Sequence, residues 1–355
     1  MLGFSAYLHS SLTKKDLDMF NKFVKAGFKG VFTSINLPED DPKVLLENLK
    51  NLGKLCSEND LELTLDISSS SLKKLQLNLD SDLSVFQDMH VTMLRIDDGI
   101  SLAGIARLSN GMKVALNAST IEQADIDELK VAKANFDNLE AWHNYYPREN
   151  TGLDQEWFNQ KNQWLKQNNF TVMAFIPGDS NLRAPVYKGL PTLEGHRYEN
   201  PLYAALDFKK LNVDRIYVGD PALKDSTFEQ FRNYFVENIL QLQVQLDNDV
   251  PSYLTSVMHQ RADVARDVVR LREGRPLNKS EILPANNVLR KRGSITLDNS
   301  LSGRYQGELQ LIKYQLPSDN TVNVIGRVID SDIKLLDYCN ANQAIQLVDI
   351  RSEDK

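Results

Sequence analysis

Residues 93–117 read MLRIDDGISLAGIARLSNGMKVALN. Two short apolar runs, 93–97 and 113–117, flank a stretch over 100–108 with helix-like spacing of its apolar residues. A strand, a helix and a second strand in that order form a βαβ unit, whose strands are parallel. The same rhythm continues on both sides of it. Further strands are predicted over 2–7, 30–36, 62–67, 138–142, 171–176 and 215–218. Further helices are predicted over 13–26, 42–59, 69–77, 121–134, 154–168, 201–211 and 226–235. Eight strands, each followed by a helix, over about 235 residues predict a (β/α)8 TIM barrel. The competing fold, an open doubly wound sheet, usually carries a GxGxxG loop after its first strand, and this sequence has none there.

After Glu237 the texture changes. One helix is predicted over 259–272, and a Pro/Asn-rich connector follows it. Then come GSITLDN, ELQLIKYQL, NVIGRVI and QAIQLVDI, short β-rich segments separated by turn residues. The predicted α/β chain is thus a TIM-barrel catalytic domain over 1–237 and a small antiparallel β-domain over 238–355.

The 355 residues carry a formal charge of −7 and no basic stripe, which argues against a nucleic-acid partner. No stretch approaches a membrane span. Cys56 and Cys339 are the only cysteines and lie far apart in sequence, so no disulfide framework is expected. The leading MLGFSAYLHSSLTKK lacks the basic start and long apolar run of a signal peptide. A cytoplasmic protein is expected.

Alternation along each barrel strand separates residues facing the helices from residues facing the interior. Interior residues near a strand's C-terminal end open into the active-site mouth. In ELTLDIS, Leu63, Leu65 and Ile67 go outward, while Asp66 goes inward near the end. In MLRIDDG, Arg95 and Asp97 go inward; in KVALNAS, Asn117 and Ser119. In NLEAWHNYY the inward residues are Glu140, Trp142 and Asn144, with His143 outward. Strand one contributes Ser5 and Tyr7, and strand two Ser34 and Asn36. Asp66, Asp97 and Glu140 are therefore expected to meet around Arg95 as the catalytic carboxylates. A glycosidase needs such a pair, one to protonate the leaving oxygen and one to attack or to activate water. Trp142 and Tyr145 offer aromatic faces for a sugar ring. Lys29 and Lys113 sit at strand starts, which disfavours Schiff-base chemistry. No cofactor is expected; a divalent ion on the three acids is the alternative.

The loop PGDSNLRAPVYKGLPTLEGHRYENP, 177–201, is long enough to suggest function. TIM barrels commonly bind phosphate with the loops after strands seven and eight. Gly178, Arg183, Lys188, His196 and Arg197, with Gly219 at the end of strand eight, are the expected anion contacts. Tyr7, Asn36, Arg95, Asn117, Trp142, His143, Asn144 and Tyr145 complete the expected substrate-binding set.

GFSAYLH, SINLPEDD, LRIDDG, LNAST, NLEAWHNYYPRENTGLD, GLPTLEGHRYENP and RYQGELQLIKY occur in that order. Together they resemble the bacterial DUF871 family, which includes the 6-phospho-N-acetylmuramidases, over almost the whole chain. The resemblance implies a TIM barrel followed by a cyclophilin-like β-barrel. It also implies intracellular hydrolysis of MurNAc 6-phosphate–GlcNAc from imported peptidoglycan fragments. A small-molecule phosphosugar is then the partner, with a homodimer as an assembly the β-domain could form. A metal-dependent sugar-phosphate isomerase or lyase and a non-catalytic sugar-phosphate binder are the alternatives.

Overall fold

The computed structural model describes residues 1–8, 12–35, 42–75, 77, 79 and 83–352. Eight parallel strands close a barrel in sequence order: β1 (Leu2–Ser5), β2 (Gly30–Ser34), β3 (Glu62–Ile67), β4 (Met93–Ile96), β5 (Lys113–Asn117), β6 (Leu139–Trp142), β7 (Thr171–Ile176) and β8 (Arg215–Val218). Pairing of β1 with β8 completes the ring. The helices around it are α1 (Lys14–Lys25), α2 (Pro42–Glu58), α3 (Ser69–Lys74), α4 (Ser84–Asp88), α5 (Leu102–Ser109), α6 (Gln123–Val131), α7 (Gln155–Gln167), α8 (Pro201–Lys210) and α9 (Asp225–Phe235). The short α4, between β3 and β4, is an addition to the predicted pattern. No helix among the described residues is long and apolar enough to cross a membrane.

Local chemistry sets the boundaries. Thr13 caps α1: its hydroxyl accepts from the Asp16 N–H, and the Asp16 carboxylate accepts from the Thr13 N–H. Asn200 caps α8 by accepting from the Leu202 and Tyr203 N–H groups, with Pro201 in the first turn. Outward residues of the strands, such as Leu63, Leu65, Ile67, Val114 and Ala141, are fully buried beneath the helices. The barrel interior is filled by Phe32, Met93, Ala115, Trp142, Met173, Phe175 and Tyr217. Gly3 and Gly30 face each other across β1 and β2 and make room for the Tyr217 ring. A Cβ at Gly3 would lie 2.3 Å from Tyr217 Cε1, and one at Gly30 2.1 Å from the Tyr217 hydroxyl.

The chain divides into two compact units, Met1–Phe228 and the residues from Glu229 onward, so the boundary falls inside α9. The second unit holds β9 (Ile239–Leu246), β10 (Met258–His259), β11 (Val268–Leu271), β12 (Ser294–Asp298), β13 (Leu309–Ile312), β14 (Val322–Val328) and β15 (Ala344–Asp349). Their order in the sheet is β10-β15-β9-β14-β12-β13-β11. All pairs are antiparallel except β15 with β9. The two ends of the sheet meet: Arg261 donates to Arg270 O, Arg272 donates to His259 O, and Gln260 bridges Leu271.

Two expectations are corrected here. The helix expected over 259–272 is instead the pair of short strands β10 and β11 with a loop between them. Val268, Val269 and Leu271 match helical spacing, but β-branched valines also suit a strand, and pairing with β13 decides the matter. The sheet is mixed rather than wholly antiparallel because β9 lies between β15 and β14 and runs parallel to β15. That strand, ILQLQVQL, buries Leu240, Leu242, Val244 and Leu246 on one face and had no counterpart in the predicted set.

Candidate active site

At the C-terminal end of the barrel, β3 and β4 set Asp66 and Arg95 side by side in register. Arg95 Nη1 donates to Asp66 Oδ1 and, at 3.1 Å, to Asp97 Oδ1. Its Nη2 donates to Asn144 Oδ1, just beyond β6. Ser34, the last residue of β2, donates to the other Asp66 oxygen at 2.9 Å. One guanidinium thus gathers two carboxylates and an amide from three strands. The Asp66 side chain is 9% exposed and that of Asp97 43%, so Asp97 is the more open to a ligand. Burial holds the Asp66 carboxyl above its ordinary pKa, against the opposing pull of Arg95 and Ser34.

Glu140 does not join them. It faces the interior as its parity requires, but it is only the second residue of β6. Its partner is Arg215, the first residue of β8, at 2.8 Å. Arg215 also pairs with Glu62 at the start of β3, and Glu62 with Lys113 at the start of β5. The inward residues of β6 give the layering: Glu140 near the N-terminal end, then Trp142, then Asn144 on Arg95. Trp142 is fully buried and donates its indole N–H to Glu140 Oε2 at 2.8 Å. It belongs to the plug that fills the barrel, not to a stacking surface. The expected meeting of three acids is therefore corrected to a pair, Asp66 and Asp97, and no three-acid metal site forms from these residues.

His143 faces outward, and the expected substrate contact is corrected with it. Its Nε2 lies 2.8 Å from Asn162 Oδ1 on α7 and its ring packs against Phe158. Full burial pushes its pKa down to about 4, which keeps the ring neutral near pH 7. Asn117, at the end of β5, accepts from the Ser119 N–H at 3.0 Å. Tyr145 packs edge-on against Phe175, and its hydroxyl accepts from Arg183 Nη1 at 2.6 Å. The Arg183 guanidinium lies 4.0 Å over the Tyr7 ring, and the Tyr7 hydroxyl donates to Gly219 O. Tyr7, Arg183 and Tyr145 thus form a second cluster in the mouth. Asn36 lies outside the described residues.

Residues 2–233 match the N-terminal part of the 6-phospho-N-acetylmuramidase family, and residues 240–348 match its C-terminal part. The chain belongs to the 6-phospho-N-acetylmuramidase family. A conserved Enterococcus faecalis protein of unknown function is 35% identical over the full length of both chains, with a TM-score of 0.91. An uncharacterized B. cereus protein is 26% identical over 98% of this chain and 99% of its own, with a TM-score of 0.74. No curated protein matches.

In this 6-phospho-N-acetylmuramidase family member the loop after β7 departs from the expected anion cradle. Asp220, fully buried, accepts from the N–H groups of Gly178 (2.9 Å), Leu190 (2.8 Å) and Arg183 (3.1 Å). The Gly219 N–H goes to Ile176 O. Neither glycine has an N–H free for an anion; both permit close approach instead. A Cβ at Gly178 would lie 2.5 Å from Ala222 O, and one at Gly219 2.4 Å from Leu190 O.

Arg197 is likewise committed within the protein. It is buried, forms a two-pronged pair with Glu194, and donates to the carbonyls of Lys188, Gly189 and Arg148. His196 is buried against Asp207 at 2.9 Å. Both staple the loop and leave the expected contact set on geometric grounds. Lys188 is exposed and lies 3.6 Å from Glu149. Strand alternation pointed to neither Asp220 nor Arg215. Arg215 opens its strand, and a lone cation at a strand start signals the opposite end of the barrel.

Proposed function

We propose that this protein is a glycosidase cleaving MurNAc 6-phosphate–GlcNAc in the cytoplasm during peptidoglycan recycling, with Asp66 and Asp97 as its working carboxylates. The observation that carries this is the bonding of both carboxylates to one nitrogen of Arg95. Asp66 takes the part of donor to the leaving oxygen, a part in which its Oδ2, the oxygen not bonded to Arg95, carries the proton. The more open Asp97 is the anion that acts at the sugar. Arg95 fixes both and limits their mutual repulsion, and the Asn144 amide nitrogen is left to meet a sugar hydroxyl.

The geometry also bears on stereochemistry. Oxygens bonded to one nitrogen, the farther at 3.1 Å, lie closer together than the about 6.5–9.5 Å that an inverting pair needs. Retention is favoured, either through attack by a carboxylate or through attack by the substrate's own acetamido oxygen with Asp97 orienting its N–H.

Hydrolysis of MurNAc 6-phosphate–GlcNAc, followed by mass spectrometry, tests the assignment. Asp97→Asn and Asp66→Asn should each lower kcat by about 10²–10⁴-fold, while Glu140→Gln stays within a few-fold of wild type. Wild-type turnover in both aspartate variants would remove the proposed centre.

A further inference from the structure

We propose that Arg183, seated on Tyr7 and tied to Tyr145, is the receptor for the phosphate of the substrate. This assignment rests on the phosphosugar reading above. The usual phosphate site of a TIM barrel is a set of backbone N–H groups after strands seven and eight. Here a carboxylate of the protein already occupies that set: Asp220 takes the N–H groups of Gly178, Arg183 and Leu190. A phosphate placed there would displace or face a buried anion.

Recognition therefore falls to side chains. The expected binding set holds four cations, Arg95, Arg183, Lys188 and Arg197. Arg95 is held by Asp66 and Asp97, Arg197 by Glu194, and Lys188 by Glu149. Arg183 alone of the four forms no close ion pair among the described residues, its charge reaching the buried Asp220 carboxylate only at longer range. Its guanidinium is half-buried, 4.0 Å above the Tyr7 ring and 5.9 Å from the Tyr145 ring centre. The Tyr145 hydroxyl takes one of its N–H groups, and the remaining donors are left for a ligand. A flat cation held on an aromatic face, with its fork unspent, suits the two oxygens of a phosphate. The clamp also explains an otherwise odd economy: the Asp220 bond to the Arg183 N–H fixes the backbone from which the guanidinium extends.

Binding by calorimetry tests this without relying on turnover. The probes are N-acetylglucosamine 6-phosphate, which has a phosphate and no lactyl group, and N-acetylmuramic acid, which has the lactyl group and no phosphate. Arg183→Gln should weaken the phosphate probe by about tenfold to a hundredfold, the range of a lost charge-assisted contact, and leave N-acetylmuramic acid within about twofold. Arg183→Lys, which keeps charge but not the fork, should fall between. Circular dichroism and the melting temperature establish that each variant folds. Equal weakening of both probes, selective weakening of N-acetylmuramic acid, or no change in folded variants would overturn the assignment. Loss of hydrolysis in every assay, with the phosphate-selective binding defect intact, would instead sink the glycosidase reading and leave Arg183 standing.

Discussion

Single residues here carry opposite charges of duty according to which side of a strand they occupy. His143 and Asn144 are neighbours, yet one is sealed against α7 and the other bonds Arg95. The sealed histidine has a pH consequence. Its folded pKa of about 4 lies below the ordinary 6.5, so the folded state binds fewer protons than the unfolded one between those values. Stability is full above pH 6.5 and declines as pH falls toward 4, by about 3 kcal/mol from this group. His143→Asn should be less stable near pH 7 but lose less on acidification, as urea unfolding at the two ends of that range would measure. An equally steep acid decline in the variant would assign the loss to other groups. Glu140 is the other instructive residue. Removing its charge leaves Arg215 with Glu62 alone, so Glu140→Gln should lower the melting temperature while sparing turnover, a separation that thermal and kinetic assays on one sample can read.

At the scale of strands and helices, the sequence discloses sides better than heights. Alternation placed Asp66, Arg95, Asn144 and Glu140 all inside, as the barrel has them. It carries no information on the layer, because strands of a barrel are staggered and their first residues start at different levels. Trp142, read as a mouth residue, sits one layer below Asn144 for this reason. The loop residues were legible only as types: Arg183 and Arg197 look alike in sequence, and only the position of Glu194 distinguishes the committed cation from the open one. The glycine pair under Tyr217 was not legible at all, since nothing local marks Gly3 or Gly30 as floor space for a ring from β8. It makes a sharp prediction. Gly30→Ala should destabilise the barrel by about 1–3 kcal/mol through overpacking. Tyr217→Phe should restore part of that loss, because the closest atom to the new methyl is the hydroxyl. Gly3→Ala meets ring carbons, so the same second substitution should not help it. Denaturant unfolding of the single and double variants gives the comparison; equal rescue at both glycines would refute the packing account.

Over the whole chain, the two thiols fall in different units and both are buried, Cys56 at 0% and Cys339 at 6% exposure. Burial pushes each up to about 12, so neither forms appreciable thiolate near neutral pH. The folded protein should react with a thiol reagent only slowly, and two equivalents should appear on adding denaturant. Fast labelling of the folded chain would show that one of these cores opens readily. Reduction should leave the unfolding midpoint unchanged.

The joining of Arg261 with Arg270 and of His259 with Arg272 has a colloidal consequence. A sheet whose margins are already zipped together offers few vacant amide rungs for a foreign extended segment, and the eight-stranded ring offers none between its own strands. Concentrated stocks of the folded protein should therefore resist fibrillar association. Loosening the short β10 seam would expose the rungs on which such association could begin.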